Sequence, residues 1–424
     1  MGFMVLGGFL ILFLLGFPVI LAIIVPAVIY LFANQVPFDV IAQRLQYSLD
    51  SYPLVAVPVF ILVGNLSNFT GITQALFNFA NTLVGRVYGG LAQVNVFGSL
   101  IFAGMSGAAL ADVGGLGQIE IKGMMDKGFR KADAAAITVA SATVGPIFPP
   151  SIPLIIYGAV TGVSVVKLLL GGIVPGLLCT GMLMITVAIL ARRRNWPRSD
   201  RWPTRREIGR NLKPAFPALM APVLLIAGMV SGYFTPTEAA SICVLYILLV
   251  SHFYYRDLTY PAFLKATFET VKMSCSIMVI IAAASLFGWI LAVEKIPQMV
   301  QQAILTFKDD PLMLLLILNL FFLLVGMFLD STTSTLLIIP MLAAPVAACG
   351  IDPVHLGLVI IFNLMIGLVT PPMGLSLFMV SNVANISMRE VLVEMPPYFI
   401  SLIVTLALIT YFPFLTLWIP NMLK

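Results

Sequence analysis

Long stretches of this chain carry almost no charge, and a water-soluble fold could not bury them all. Lys167 to Leu190, Pro217 to Tyr233 and Pro396 to Pro420 are examples, apolar on every face rather than on one. A helix crosses a bilayer with roughly 20 mostly apolar residues at about 1.5 Å each. A membrane β-barrel would show a period of two, which these runs lack. Composition agrees: 60% of the 424 residues are hydrophobic and 10% charged, against about 45–50% and about 25% in soluble domains. The expected fold class is an all-α polytopic membrane protein whose solvent is the lipid bilayer. A cleavable signal peptide is not expected, because the N-terminus lacks a basic n-region and its apolar stretch runs on too far.

Charge sets the topology. Nine of the 23 basic residues lie between Arg192 and Lys213 (Arg192, Arg193, Arg194, Arg198, Arg201, Arg205, Arg206, Arg210 and Lys213), and the net charge is +5. Such a cluster between two apolar spans marks the cytoplasmic side; it is a topological signal, not a nucleic-acid patch. With loop 192–213 inside, 214–233 leaves the cytoplasm and Phe234 to Glu238 turns outside. Residues 237–255 return, and 271–293 exit to Glu294. Cys179, Cys243, Cys275 and Cys349 stand singly, without metal or disulfide spacing.

Regions 87–121 and 312–348 are too short for two spans and a turn, which take more than about 40 residues. Arg86 precedes the first, and Lys122, Lys127, Arg130 and Lys131 follow it, so both its ends lie inside. Lys308, Asp309, Asp310, Asp352 and His355 flank the second without that basic excess. Both read as re-entrant helical hairpins, one opening inward and one outward. Backbone at their tips must be buried in protein or line a wet cavity.

The halves of the chain echo each other at an offset of 222 residues. Gly104-Met105 corresponds to Gly326-Met327, and Gly145 to Pro150 corresponds to Gly367 to Pro372. Val174-Pro175 matches Met395-Pro396 with one residue of slippage, and Gly232 to Pro236 is echoed weakly in Gly16-Phe17-Pro18. Matches inside hairpins of opposite sense imply an inverted-topology repeat. Proline removes a backbone donor and clashes with the preceding turn. Spans 134–165 and 355–386 are therefore expected to be two broken helices, with unwound carbonyls for a cation and half-helix N-termini for an anion. A plain proline kink is the alternative.

Acidic residues inside a membrane are expensive and tend to be functional. Asp112 follows Ser106-Gly107, and Asp330 precedes Ser331-Thr332-Thr333. The expected sodium ligands are oxygens at Gly104, Ser106, Asp112, Gly145, Pro149, Asp330, Thr332, Thr333, Gly367 and Thr370, since a hard cation takes oxygen donors. The expected substrate contacts are Pro150, Ser151, Ser331, Pro371 and Pro372. The carboxylates could also cap hairpin helices. Glu238 is read as a cap or pair at the outer surface. His252 and His355 have no partner motif and are placed at interfaces. Segments 72–88 and 294–308 are expected to be amphipathic interfacial arms.

Gly232-Tyr233-Phe234-Thr235-Pro236-Thr237-Glu238-Ala239-Ala240, with Ser106-Gly107 … Ala111-Asp112 and Pro149-Pro150-Ser151, resembles the large membrane subunit of tripartite ATP-independent periplasmic (TRAP) transporters, over essentially the whole chain. The Thr-Pro-Thr-Glu-Ala-Ala string is the specific part; related symporters share the hairpins and breaks. Ala108 and Ala109 stand where hydroxyl residues are common in the family, which shifts weight to backbone ligands. The resemblance implies an elevator-type, ion-transporter-superfamily-like fold in the bacterial cytoplasmic (inner) membrane. It also implies a separate small four-helix membrane subunit, a soluble periplasmic binding protein, and sodium-driven import of an organic acid such as a C4-dicarboxylate, sialic acid or another sugar acid. ATP is not expected, and no nucleotide-binding loop occurs. The implied division is scaffold at 1–86, 167–311 and 388–424, and transport domain at 87–166 and 312–387. The rival reading is a stand-alone sodium/carboxylate symporter. An intramembrane enzyme would want converging His, Cys or paired carboxylates, and a passive channel suits paired opposite hairpins poorly.

Overall fold

A computed structural model describes residues 1–37, 39–197 and 202–422, and every regular element among them is a helix. The first half runs α1 Gly2–Leu14, α2 Val19–Ala33, α3 Asp39–Leu49, α4 Tyr52–Asn68, α5 Ile72–Val84, α6 Leu91–Ser106, α7 Ala109–Gly114, α8 Leu116–Asp126, α9 Lys131–Ser141, α10 Ile152–Thr161, α11 Val165–Gly171 and α12 Ile173–Arg194. The second runs α13 Arg205–Val230, α14 Pro236–Leu249, α15 Tyr260–Val293, α16 Ile296–Leu305, α17 Pro311–Gly326, α18 Ser331–Ala348, α19 Pro353–Leu368, α20 Leu375–Ala384, α21 Met388–Glu394, α22 Pro396–Tyr411 and α23 Phe414–Met422. Among the described residues, five helical stretches, α11 and α12 counted together, are long and apolar enough to cross a membrane, and two bent pairs raise that to seven.

The order of elements repeats. Helix α6, a return arm, α9, a break, α10, α11 and α12 are followed one half-chain later by α17, α18, α19, a break, α20, α21 and α22. The return arm of the first set is itself divided: the chain bends at Gly115, giving α7 and α8 where the hydropathy alone suggested one arm.

Several boundaries differ from those read off hydropathy, for local reasons. Helix α13 starts at Arg205 rather than 214, because Thr204 and Glu207 form a capping box ahead of the apolar stretch. Helix α15 starts at Tyr260 rather than 271, with the Thr259 hydroxyl accepting from the Ala262 N–H at 3.3 Å. The stretch 237–255 continues α14 through a π-helical turn at Val250–Tyr255. The apolar run 396–420 is divided at Phe412-Pro413 between α22 and α23. Of the basic cluster, Arg192 to Arg194 end α12 and Arg205 to Lys213 lie within α13, so much of loop 192–213 is helical. Arg198 and Arg201 fall outside the described residues.

Packing sorts the helices into two groups. Helices α1 to α5 and α13 to α15 pack chiefly among themselves: α4 on α14 and α15, α13 on α5 and α14, α2 on α1 and α15; α16 touches α15 but packs more on α18. Helices α6 to α12 and α17 to α23 form the other group, in which α12 lies against α22 and α6, and α19 against α17 and α22. The groups meet where α4, α5 and α13 touch α6, where α4 touches α10, and where α15 and α16 touch α18.

The outer turn is fixed by a second capping box. The Thr235 hydroxyl accepts from the Glu238 N–H at 3.3 Å, and Glu238 accepts from the Thr235 N–H and hydroxyl at 2.8 Å each. Thr235→Ala should destabilise by about 1 kcal/mol, the usual worth of an N-cap hydroxyl, read as a lower thermal unfolding midpoint.

Candidate functional site

Each helix break is closed by the tip of a hairpin. In the first half, α9 tightens into a 3-10 turn at Ala142–Val144 and the chain is non-helical to Ser151. Ser151 caps α10, accepting from the Leu154 N–H at 3.2 Å and donating to the Pro146 carbonyl. Tip residues Gly107 and Ala108 lie on this break. The Ile152 N–H donates to the Gly107 carbonyl at 3.3 Å. A Cβ on Gly107 would stand 2.6 Å from the Pro150 oxygen, and Gly107 has φ +62. Only glycine suits both the turn and the approach.

The second half repeats the arrangement. Helix α17 ends at Gly326, and Asp330 caps α18, its carboxylate accepting from the N–H groups of Thr332 at 2.9 Å and Thr333 at 3.2 Å and from the Thr333 hydroxyl. Gly326 meets Gly367 backbone to backbone: a Cβ on Gly367 would lie 2.5 Å from the Gly326 Cα. The Thr370 hydroxyl donates to the Ile366 carbonyl at 2.6 Å at the end of α19. Pro149-Pro150 and Pro371-Pro372 are both cis. The sets also interlock, since α7 packs on α20 and α18 packs on α10, so each return arm lies on the post-break helix of the other half.

Of the expected residues, Gly145 and Pro150 lie against the first tip at Gly107 and Ala108, and Ser151 caps α10. At the second, Gly367 lies against Gly326 at the end of α17, while Asp330, Thr332 and Thr333 are bonded to one another at the start of α18. Gly104 lies between the two groups, its missing Cβ leaving room for Pro222 of α13 at 2.9 Å, with the Pro149 oxygen of the break at 4.0 Å. Asp112 lies a turn past the tip, inside α7, and does not cap it. Both its oxygens are buried and have no partner at hydrogen-bond distance among the described residues, with the Ser99 hydroxyl the neighbouring donor. Glu120 on α8 is in the same condition, buried at 1%, and Gly98 makes room for it: a Cβ there would meet Glu120 Oε1 at 3.0 Å. The surroundings of the two breaks differ. Pro149 and Pro150 are buried, whereas Pro371, Pro372 and Met373 are exposed.

Other buried polar residues were not singled out from sequence. Asn95 donates to Thr138 at 2.7 Å, and Ser141 donates to Asn95 at 2.7 Å, tying α6 to α9. Asn363 donates to the Asn319 carbonyl at 2.8 Å, tying α17 to α19 at the matching place. Ser106, Ser334, Thr335 and Ser376 bury hydroxyl oxygens that have no partner among the described residues. Ser334 and Thr335 continue the hydroxyl run from Ser331, a signal present in the sequence; Ser376 has none. His355, in the first turn of α19, is 2% exposed, with Nδ1 2.8 Å from the Thr416 hydroxyl.

The two halves are also joined by an ion-pair cluster. Arg130 bonds Asp133 through Nε at 2.8 Å and Glu394 through Nη2 at 2.8 Å. Arg194 bonds Glu394 at 2.6 Å and also reaches Asp133. Helices α9, α12 and α21 are thereby held together at the ends that the basic residues place in the cytoplasm.

Comparison with known proteins agrees with this architecture. Residues 6–415 match the family described as the tripartite ATP-independent periplasmic transporter, DctM component. The sialic acid TRAP transporter large permease protein of Vibrio cholerae is 42% identical over 416 residues, 98% of this chain and 97% of that one. The C4-dicarboxylate TRAP transporter large permease protein of Pseudomonas aeruginosa is 36% identical over 383 residues, 90% of each. Among solved structures, the Alcanivorax borkumensis YdaH transporter superposes with a TM-score of 0.62 at 14% identity, covering 91% of this chain and 88% of that one. Neisseria gonorrhoeae MtrF superposes with a TM-score of 0.58 at 14% identity, covering 88% and 83%. The fold is therefore shared with transporters of unrelated sequence. The chain belongs to the tripartite ATP-independent periplasmic transporter family, as its DctM, large permease, component.

Proposed function

We propose that this permease imports a small organic acid together with sodium, receiving it from a periplasmic binding protein and working beside a small four-helix membrane subunit in the bacterial inner membrane. As a transport permease it is not an enzyme. The observation that carries the reading is the doubled arrangement of a hairpin tip seated backbone on backbone against a helix break. Unwound carbonyls and hydroxyls there supply the oxygen donors a hard cation needs, and half-helix N-termini suit a carboxylate. The orphan hydroxyl of Ser106 fits such a role at the first site; at the second we assign it to the Thr332 hydroxyl and to the Thr333 hydroxyl, whose lone pairs stay open while it donates to Asp330. Asp112 and Glu120 form a buried acidic pair nearby that suits a cation better than isolation. Sialic acid and C4-dicarboxylates, the cargoes named for the relatives above, are the substrate classes to test first.

The two tips are re-entrant hairpins of opposite sense in this reading, and the unequal exposure of the two breaks supports alternating access between them. The helices carrying the hairpins and breaks, α6 to α12 and α17 to α23, then move as one body against α1 to α5 and α13 to α15, as an elevator. Packing is the reason for assigning α12 and α22 to the moving body, where the sequence-based division put 167–194 and 388–424 in the scaffold.

The test is uptake of labelled sialic acid and succinate by liposomes holding this chain with its small subunit, under an inward sodium gradient, with and without the cognate binding protein. Uptake that needs both sodium and the binding protein upholds the reading. Sodium-driven uptake without the binding protein selects the stand-alone symporter, and sodium-independent uptake removes the ion site. Replacing Thr332 and Thr333 together by valine should raise the half-saturating sodium concentration by about tenfold, the effect of roughly 1.4 kcal/mol of lost ligation. An unchanged sodium titration would remove these side chains from the site.

A further inference from the structure

The two helices that follow the breaks begin differently. In α10 the first N–H groups are all accounted for. Ile152 donates to the Gly107 carbonyl of the tip at 3.3 Å, Pro153 has no N–H, and Leu154 donates to the Ser151 hydroxyl at 3.2 Å. At the 222-residue offset the place of Ser151 is taken by Met373, which cannot cap. Helix α20, of 10 residues, starts from Gly374 without a side-chain cap. Its first bond runs from the Phe378 N–H to the Gly374 carbonyl at 3.0 Å, and the N–H groups of Leu375, Ser376 and Leu377 have no acceptor among the described residues. Ser376 is 1% exposed, and its hydroxyl has no partner there either. Side chains in a helix lean toward its N-terminus, so this hydroxyl stands at the same end as the three N–H groups. Four donors without an acceptor at one helix end call for a ligand that accepts.

The ligand that fits is an anion. A helix N-terminus carries partial positive charge and points its N–H groups outward. No Asp, Glu, Lys or Arg lies between Pro353 and Ser387, so no charged side chain of α19 or α20 competes for the place. Among the helices packed on α20, α9 brings Asp133, which Arg130 and Arg194 hold, while α7 and α8 bring the unpartnered Asp112 and Glu120. The cation proposed for that acidic pair balances it and ties anion binding to the ion. Access agrees: Pro371, Pro372 and Met373 ahead of α20 are exposed, whereas Pro149 and Pro150 ahead of α10 are buried.

We propose that the N-terminus of α20 receives the carboxylate of the imported acid, through the N–H groups of Leu375, Ser376 and Leu377 and the Ser376 hydroxyl. Helix α10 offers no second set of open donors. The permease therefore takes acids with one carboxylate, of the sialic or other sugar-acid kind, in preference to C4-dicarboxylates. This rests on the import reading and narrows its substrate class.

Binding to the purified permease in sodium, without the binding protein, tests the site apart from delivery. Hydrogen exchange over the segment from Met373 to Phe378 should slow about tenfold with sialic acid or gluconate, as free N–H groups gain an acceptor. Succinate should protect it far less, and the methyl ester of sialic acid, whose carboxylate is blocked, not at all. Ser376→Ala should raise the half-protecting sialic acid concentration about tenfold, the effect of one hydrogen bond to a charge. Ser376→Asp sets a carboxylate of the chain itself on the helix end, which suits the dipole. It should abolish protection by either acid without lowering the melting midpoint, and the alanine variant serves if it does not fold. Ser381→Ala, at the other end of α20, should change nothing. Equal protection by succinate or by the methyl ester, or an unchanged titration in Ser376→Ala, overturns the proposal. No protection by any of these acids overturns it too, and the liposome uptake described above then decides the import reading by itself.

Discussion

Gly367→Ala should lower the uptake rate by about 100-fold, the scale on which a 1 Å displacement disables a positioned site. The added Cβ would lie 2.5 Å from the Gly326 Cα and 2.8 Å from the Gly326 oxygen. Both are backbone atoms, so no rotamer change can relieve the contact and the second tip must lift off its break. Gly326→Ala attacks the same contact from the other side, with a Cβ 3.1 Å from the Gly367 Cα. It should give a weaker form of the same defect. Gly288→Ala in α15 is the control: nothing stands within 4 Å of its Cβ, and alanine favours the helix by about 1 kcal/mol. Uptake in liposomes, with a thermal melt to confirm folding, separates the three. Near-normal uptake by Gly367→Ala would mean that the tip and break need not touch for transport.

That contact shows how far the sequence could be read. The pairing of Gly326 and Gly367 with Gly104 and Gly145 followed from the 222-residue offset, because glycine and proline are the residues whose backbone consequences do not depend on context. The partners across space did not follow. Gly104 and Gly326 are equivalent in the repeat, yet Gly104 receives Pro222 while Gly326 receives Gly367. Offsets relate positions along the chain and say nothing about which body lies opposite. Asp112 and Asp330 show the same limit. Both are acids just past a tip, but Asp330 is bound by its own helix N-terminus, and Asp112 has passed one turn further into α7. A bend at Gly115, invisible to hydropathy, brings Glu120 under the same packing instead. Helix starts were missed where a polar turn precedes the apolar run, since hydropathy registers the run and the Thr204 or Thr259 cap begins the helix earlier. The assignment of α12 and α22 was likewise beyond composition. Both are uniform apolar helices, and only their neighbours say which body they join.

The second large effect is expected at the ion-pair cluster. Asp133 is 2% exposed and accepts from both Arg130 and Arg194, while Arg194 also holds Glu394, 9% exposed. Asp133→Asn removes the acceptor for two guanidinium groups and leaves Glu394 to balance both. Removing one partner of a buried pair costs about 3–5 kcal/mol. Here the loss should be nearer about 2–3 kcal/mol, because the Arg130 side chain is 62% exposed and water screens it. Arg130→Gln should cost under about 1 kcal/mol for the same reason. Since α9, α12 and α21 all belong to the group proposed to move as one body, the cluster should hold through the transport cycle. Asp133→Asn should then lower the unfolding midpoint while leaving the half-saturating sodium concentration unchanged. A variant that melts normally but shifts the sodium titration or traps one face open would place the cluster between two moving parts. It would return α12 and α21 to the scaffold.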